Sequence, residues 1–346
     1  MPQPDAPSRS HLAALLQAMP KAELHLHIEG TLEPELIFAL ARRNGLAPPR
    51  PDVESLRRAY AFHDLQSFLD LYYAGAAVLQ REEDFYDMAM AYFRRAAADH
   101  VVHAEIFFDP QTHTLRGVEF GTVMKGLMRA QRDARAGLGV SSGLIMCFLR
   151  HLTQESAFET LAAALPYREH ILGVGLDSGE AGNPPEKFAE VFRRCRELGW
   201  RAVAHAGEEG PAAYIWSALR ALKAERIDHG VRCLEDPRLV AHLAEHRIPL
   251  TVCPLSNVML KVYPAMKRHP LAELLRAGLC VTVNSDDPAY FGGYVNRNYL
   301  ACFEAWPELG APEARRLAAN SFEASFAPAA DKQAWLRRLD EAFEGA

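Results

Sequence analysis

Over residues 22–30, aliphatic side chains occupy every second position, and His25 and His27 lie between them. A period of two predicts a β-strand that carries both imidazoles on one face, about 7 Å apart along the backbone. The alternation stops at Gly30, and Thr31 is a candidate cap for a following helix. The pattern therefore predicts two histidines side by side where a strand enters a loop, on a face suited to a metal ion.

Seven further runs rich in β-branched and other apolar residues follow later in the chain. They cover residues 101–109, 141–150, 170–178, 201–207, 226–230, 248–254 and 280–287. Amphipathic stretches long enough for right-handed helical crossovers separate them. Together with the first run, they predict eight strands with alternating helices, an α/β fold of the (β/α)8 TIM-barrel type. An open doubly wound sheet is the competing architecture, but no GxGxxG turn follows any of the runs.

Residues 32–100 have helical rather than strand periodicity. Four helices are predicted there, over residues 34–44, 52–60, 65–80 and 82–99. An insertion of this length after the first strand is typical of a lid or a pocket wall. Five of its aromatic residues either line such a pocket or pack one helix against another, and packing is the more common role. These residues are Tyr60, Phe62, Phe68, Tyr72 and Tyr73.

Composition narrows the class of protein. The chain has 346 residues, 49% of them hydrophobic and 24% charged, and no linker rich in Pro, Gly or Ser, so we expect one domain over residues 1–346 with additional C-terminal helices. The net charge is −6, and neither acidic nor basic residues form long runs. This argues against nucleic acid or membrane partners and favours a small molecule as the partner. Six cysteines occur singly and are expected to be buried thiols. The apolar stretch 12–19 is too short for a signal peptide or membrane span, so we expect a cytoplasmic location.

Polar residues gather at the predicted carboxyl ends of three strands besides the first. His205 and Glu208 follow the fifth strand, His229 ends the sixth, and Asp286 and Asp287 end the eighth. The carboxyl ends of barrel strands meet at one rim, so these side chains are expected to share a site with the two histidines of the first strand. A single histidine among them could be an ordinary core residue, but four coincident strand ends indicate a functional site.

Three imidazoles and one carboxylate form a ligand set for a divalent ion: His25, His27, His205 and Asp286. The set lacks thiolates and leaves a coordination position open, which indicates a catalytic ion, with zinc favoured and iron(II) as the alternative. Water bound to such an ion can have its pKa lowered to about 7. His229 would then accept the proton from that water, or else belong to the metal shell itself.

Two carboxyl groups beside the ligands are candidates for proton transfer and substrate binding. Glu208 lies three residues after a ligand and beyond Gly207, close to the metal without being needed to bind it, which suits a general acid. Asp287 directly follows Asp286, so on an extended backbone its side chain points elsewhere. It would face either a substrate or the N-terminus of a helix that begins at Pro288.

Five motifs, which together span nearly the whole chain, resemble those of one enzyme family in order and content. They are KAELHLHIEG at 21–30, HAGE at 205–208, IDHG at 227–230, CPLSN at 253–257 and SDDP at 285–288. The family is that of the adenosine/adenine deaminases, which are metal-dependent amidohydrolase barrels.

The resemblance implies hydrolytic deamination at C6 of a 6-aminopurine, with one zinc ion held by the four ligands named above. It implies that Glu208 protonates N1 of the purine, that His229 assists the water, and that Asp287 hydrogen-bonds to N7. Because N7 is an acceptor, Asp287 would have to be a neutral acid when the substrate binds.

Two departures from the nucleoside-specific members of this family lie on the presumed sugar side. Glu29 stands where those members have an aspartate that engages the ribose, and the loop from Asp177 reads DSGEAGNPP where theirs resembles DLAG. Residues 108–113 also resemble the branch that acts on the free base. We therefore expect conversion of adenine to hypoxanthine and ammonia, in purine salvage, with Glu29 and Asp177 as candidate substrate-binding residues. Adenosine as the substrate, and a non-catalytic purine-binding relative, stay open.

Two other kinds of hydrolase are less consistent with the sequence. A two-metal amidohydrolase usually needs a bridging carboxylate, often a carbamylated lysine from the fourth strand, and residues 170–178 contain no lysine. Deaminases with cysteine ligands carry a PCxxC motif, which this chain lacks. The sequence leaves open whether the protein forms a homo-oligomer.

Overall fold

The computed structural model describes residues 9–344, and eight parallel strands form the centre of this part of the chain. In chain order the strands are β1 (Lys21–Glu23), β2 (Val101–Phe108), β3 (Ser141–Leu149), β4 (Ile171–Asp177), β5 (Arg201–Ala206), β6 (Arg226–His229), β7 (Leu250–Val252) and β8 (Val281–Val283). Each strand pairs in parallel with the next. A parallel bridge between Leu26 and Asp286 joins the two edges, so the sheet is a nearly closed barrel. The predicted (β/α)8 fold is confirmed, and the open doubly wound sheet is wrong.

Helices surround the barrel. Those in residues 9–344 are α1 (Arg9–Ala18), α2 (Pro34–Asn44), α3 (Val53–Arg58), α4 (Leu65–Ala76), α5 (Glu82–Ala98), α6 (Pro110–Thr114), α7 (Phe120–Leu138), α8 (Gln154–Ala164), α9 (Ala189–Glu197), α10 (Ala212–Ser217), α11 (Pro237–Glu245), α12 (Pro254–Met259), α13 (Leu271–Arg276), α14 (Pro288–Phe291), α15 (Val295–Ala305), α16 (Ala311–Ala324) and α17 (Ala329–Glu344). The predicted insertion consists of α2 to α5. Within it, Asp52 and Asp64 begin α3 and α4, and each carboxylate accepts a hydrogen bond from the backbone N–H of a serine three residues later.

The first strand is much shorter than the predicted run over residues 22–30. Beyond β1, the backbone exchanges hydrogen bonds with both neighbours in turn: the N–H of His27 donates to the carbonyl of Asp286, and the N–H of Ile28 donates to that of Phe107. This segment is therefore held by isolated bridges at the seam of the barrel rather than by a continuous ladder. It nevertheless places His25 and His27 at the carboxyl rim, as the alternation predicts.

The expected cap at Thr31 is wrong. Residues Glu29–Thr31 form a 3-10 turn, in which the hydroxyl of Thr31 donates to the carbonyl of Ile28. Helix α2 begins three residues later with Pro34 in its first turn and Glu33 before it. Proline suits that position because its fixed φ is helical and its missing N–H would have no partner in the first turn.

The barrel interior is layered. Arg226, at the start of β6, forms a fully buried ion pair with Glu105 of β2 and donates to the carbonyl of Leu24 at 3.1 Å. A small apolar cluster that includes Phe107 and Val203 is also fully buried. The side chains described below lie at the strand ends, above this buried interior.

Three further expectations concern the chain as a whole. All six cysteines are buried and unpaired. Among the described residues, no helix has both the length and the apolar character needed to cross a membrane. A single domain over residues 1–346 stays a prediction, since residues 1–8 and 345–346 lie outside the described part.

Candidate active site

Four histidines and one aspartate meet at the carboxyl rim of the barrel, all of them buried. The Nε2 atoms of His27 and His205 are 3.1 Å apart, and Nε2 of His25 lies 3.3 Å from Oδ1 of Asp286. The ring centre of His229 is 4.6 Å from that of His25. Burial and the neighbouring imidazoles lower the pKa of His205 well below its ordinary value, so its ring is neutral. Neutral imidazole nitrogens that converge on a carboxylate suit a divalent cation.

The protonation of His25 fits this interpretation. Its Nδ1 lies 3.2 Å from the carbonyl of Thr251 and 3.0 Å from the hydroxyl oxygen of the same residue, and that hydroxyl donates to Asp228. Both neighbours of Nδ1 are therefore acceptors, so Nδ1 carries the proton. Nε2 is left with a lone pair directed at the centre, and no hydrogen bond from residues 9–344 reaches it. Such an arrangement is what a metal-binding histidine requires.

Two sets of ligands are consistent with the distances. His25, His205, His229 and Asp286 each offer an atom within 4.8 Å of the others. The sequence instead predicts His27 in place of His229, and Nε2 of His27 is 3.6 Å from Oδ1 of Asp286. The tautomer of His229 favours the second set.

A chain of hydrogen bonds determines that tautomer. The backbone N–H of Leu271 donates to Nδ1 of His269 at 3.2 Å, so the proton of His269 is on Nε2, which donates to Oδ1 of Asn257 at 3.1 Å. The amide nitrogen of Asn257 then faces Nδ1 of His229 at 3.3 Å. Since Nδ1 accepts, Nε2 of the neutral His229 ring carries the proton, and it points at Glu208. A protonated nitrogen cannot bind a metal.

Glu208 is almost fully buried in the turn after β5, where Gly207 has a φ of 73°. Burial raises the pKa of Glu208 well above its ordinary value, and the charges of Asp286 and Glu180 raise it further. Both effects favour the neutral form of this carboxyl group. It lies 3.5 Å from Nε2 of His229 and 3.4 Å from the amide nitrogen of Asn257.

Asp287 shares the cavity with Asp286, although the alternation predicts opposite directions for the two side chains. The reason is the backbone of Asp286, whose φ of 64° turns the chain between them. Asp287 precedes α14 without capping it through its side chain. A Cβ placed on Gly30 would lie 2.0 Å from Oδ1 of Asp287, so the carboxyl group fits only against glycine. Burial, and then Asp286, raise the pKa of Asp287 well above its ordinary value.

A buried network lies beside the metal ligands. Glu29 pairs with His113 at 2.8 Å, and the hydroxyl of Tyr72 donates to Asp109 at 3.0 Å while lying 3.4 Å from Glu29. Asp177 lies 3.5 Å from Nδ1 of His27. Asp109, Asp177 and Tyr72 line the cavity, whereas Glu29 lies behind the cavity wall.

The cavity, together with the open solvent at its mouth, contains about 400 Å³ not filled by atoms. Its roof comes from α4 of the insertion, through Leu65, Phe68, Leu69, Tyr72 and Tyr73. Three of the five aromatic residues highlighted in the sequence thus face the cavity. The other two, Tyr60 and Phe62, stack on each other.

Several residues around the site were not predicted. Asn257 belongs to the CPLSN motif and His113 ends the segment 108–113, so both could have been selected from those segments. Thr251 and His269 have no local sequence signal. Glu180 appears only as part of an altered loop, although its carboxylate binds the turn that carries Glu208.

Comparison with known proteins identifies the family of this chain. The family model described as adenosine deaminase matches residues 20–342. An adenine deaminase of Trichlorobacter lovleyi is 65% identical over 336 residues, which are 97% of this chain and 96% of the relative. The crystal structure of an adenine deaminase from Arthrobacter aurescens has a TM-score of 0.93 at 54% identity, covering 94% of this chain and all of the other. An amidohydrolase from Burkholderia ambifaria with bound zinc has a TM-score of 0.89 at 26% identity, covering 99% and 96%. The chain therefore belongs to the adenosine deaminase family.

Proposed function

We propose that this protein is an adenine deaminase, which hydrolyses adenine to hypoxanthine and ammonia. Relatives and a solved structure named adenine deaminase, at 54% to 65% identity over nearly the full chain, support this activity. A small-molecule purine as substrate and a cytoplasmic location are parts of the same proposal.

The metal set of the proposal is His25, His27, His205 and Asp286, and one zinc ion per chain suits it. Three imidazoles and a carboxylate with an open position are a ligand set typical of a catalytic zinc, and the amidohydrolase from Burkholderia ambifaria contains zinc. When bound, such an ion polarises a water molecule and makes a nucleophile available near neutral pH. Metal analysis that finds two ions per chain would instead support a two-metal hydrolase.

The chain's own residues supply the proton transfers. Glu208, protonated at rest, donates to N1 of the purine while the water oxygen attacks C6, which becomes tetrahedral. One proton of the water returns to the Glu208 carboxylate and the other passes to the amino group. The bond from C6 to that nitrogen then breaks, ammonia leaves, and the carbonyl of hypoxanthine forms while N1 keeps its proton. General acid catalysis of this kind contributes about 10² to 10⁴ in rate. His229 presents an N–H at Nε2, so it orients the attacking oxygen as a donor in place of the base expected from its residue type.

Asp287 supplies the contact to N7. Burial and Asp286 raise the pKa of its carboxyl group and favour the neutral form, which can donate a hydrogen bond to a ring nitrogen that only accepts. The packing of Gly30 against this carboxyl group fixes where the donor stands. N1 at Glu208 and N7 at Asp287 together define the plane and the direction of the purine.

One observation carries the choice of the free base. We infer that N9, which lies across the purine from C6, then points away from the metal ligands and toward the wall formed by α4. There Tyr72 is 3% exposed and held by Asp109 and Glu29. A ribose on N9 would need Tyr72 and its partners to move, and breaking buried hydrogen bonds to carboxylates costs about 1.5–3 kcal/mol each.

The test is ammonia release from adenine and from adenosine at equal concentrations, with Glu208→Gln as the control variant. We expect turnover of adenine to exceed that of adenosine clearly, and the variant to keep its metal while it loses most of its turnover. A clear preference for adenosine would overturn the choice of substrate. Stoichiometric purine binding without turnover by the zinc-loaded protein would instead indicate a non-catalytic relative.

A further inference from the structure

Glu180 makes an unusual set of contacts in the loop after β4. It is 1% exposed, and its carboxylate accepts hydrogen bonds from four consecutive backbone N–H groups. The donors and their distances are Gly207 at 2.7 Å, Glu208 at 3.0 Å, Glu209 at 2.9 Å and Gly210 at 2.8 Å. These four residues form the turn that carries the proposed general acid.

The turn is shaped around this carboxylate. Gly207 has a φ of 73°, which is readily available only to glycine, and it directs the following N–H groups inward. A Cβ on Gly210 would lie 2.5 Å from Oε1 of Glu180, so a larger residue there would displace the carboxylate. Successive N–H groups that converge in this way form a concave anion site, and here an internal side chain fills it.

A second contact holds the same strand end from the other side. Arg150, which directly follows β3, is fully buried, and its Nη1 donates to the carbonyl of His205 at 2.7 Å. The end of β5 is thus fixed by the loops after β3 and β4. The metal ligand His205 is held through its carbonyl, and Glu208 is held through its N–H.

We propose that Glu180 is the positioning residue for the acid Glu208: it fixes the backbone of the turn so that the Glu208 carboxyl group meets N1 of the purine. This inference rests on the proposed function. Glu180 does not line the cavity and so does not touch the substrate. It contacts the acid through the backbone of the turn, and the side chain of Glu208 in addition has Asn257 and His229 within 3.5 Å.

The test uses the zinc-loaded full chain with Glu180→Gln and Glu180→Asp. Glutamine keeps one acceptor oxygen but presents an NH2 group to N–H donors, so we expect kcat to fall about 100-fold, because the acid step contributes about 10² to 10⁴. We expect KM to change less than about threefold and one zinc per chain to remain. Aspartate keeps the charge and is expected to recover kcat to within about tenfold of the parent. Glu186→Gln, at an exposed position of the same loop, is the matched control and should leave both constants unchanged.

Hydrogen exchange supplies a readout that does not depend on turnover. In Glu180→Gln, amide exchange should rise in peptides that cover residues 207–210 while the strands of the barrel keep their protection. Parental kcat in Glu180→Gln, or unchanged exchange at 207–210, would overturn the proposal, as would loss of zinc together with faster exchange throughout the barrel. If the parent protein deaminates no purine, the proposed function fails on its own, and the exchange result still decides whether Glu180 fixes the turn.

Discussion

The tautomer of His229 depends on a residue that does not contact it, and this dependence can be tested at His269. Replacing His269 with leucine removes the N–H that holds Oδ1 of Asn257. The amide of Asn257 is then free to rotate by 180° and present its oxygen to Nδ1 of His229. That orientation favours a proton on Nδ1 and leaves Nε2 without one, so the proposed donor to the attacking oxygen is lost.

The structure sets the size of this effect. In the parent protein, the rotated amide would turn its NH2 group toward the N–H of His269 and leave a buried donor unsatisfied, at a cost of about 1–3 kcal/mol. This energy corresponds to a preference of roughly 5- to 150-fold for the observed orientation. Loss of the preference leaves the two orientations about equally populated, so kcat of His269→Leu is expected to fall by about twofold. KM should change little, because the purine contacts at Glu208 and Asp287 remain.

Two measurements test whether His269 controls the tautomer of His229. Steady-state deamination of adenine gives kcat, and 15N NMR of histidine-labelled protein reports which ring nitrogen of His229 carries the proton. His269→Gln, whose NH2 group can still donate to Asn257, should restore the parental kcat and the parental His229 spectrum. If His269→Leu lowers the melting temperature but leaves kcat and the His229 spectrum unchanged, His269 has only a structural role and the reasoning is refuted.

Three further changes have defined outcomes. Burial favours a higher pKa for Glu105, but Arg226 and His103 outweigh burial and lower the pKa to about 2. The charge of Glu105 therefore stabilises the fold above about pH 4.5, and this contribution is lost as the pH falls toward 2. Denaturant unfolding should show Glu105→Gln destabilised by about 3–5 kcal/mol at pH 7 and by much less at pH 3, whereas an equal difference at both would contradict the assignment. In Gly30→Ala, the added Cβ displaces Asp287, so kcat/KM for adenine should fall more than tenfold. Atomic absorption should find the metal content unchanged. Parental kinetics in this variant would argue against the N7 contact. Removal of the metal with a chelator should abolish turnover and lower the melting temperature, and zinc should restore both, whereas full activity in metal-free protein would exclude the proposed metal set.

The barrel and the composition of the site could be predicted because both depend on strong local signals. Alternation at His25 and His27, and polar residues such as His205 and Asp286 directly after apolar runs, place side chains at the carboxyl rim of any parallel barrel. The helices of the insertion agree with prediction to within a few residues, since period and capping residues determine their ends. Strand pairing at the seam was less predictable because the extension of β1 is bonded to two neighbours at once.

The supporting contacts could not be predicted because they lack a sequence signature. The partners of Glu180 are backbone N–H groups, which every residue except proline possesses, so neither their number nor their position is visible in the sequence. The orientation of the Asn257 amide depends on His269, twelve residues away. The tautomer of His269 depends in turn on the backbone N–H of Leu271. The residue type alone suggests that His229 acts as a base. Only the hydrogen bonds that run from His269 through Asn257 indicate that its Nε2 carries a proton.

The loop after β4 connects substrate choice to catalysis. Asp177, at its start, lines the cavity and lies beside the metal ligand His27, whereas Glu180, three residues later, binds the turn of Glu208. A change in this loop that made room for a sugar near Asp177 would also shift the carboxylate that positions the acid. Because four hydrogen bonds define the position of that carboxylate, the loop cannot adapt at one end independently of the other. Changes of substrate in this family should therefore require coordinated substitutions in the loops after β4 and β5, and altering residue 29 alone should lower turnover of adenine without producing turnover of adenosine.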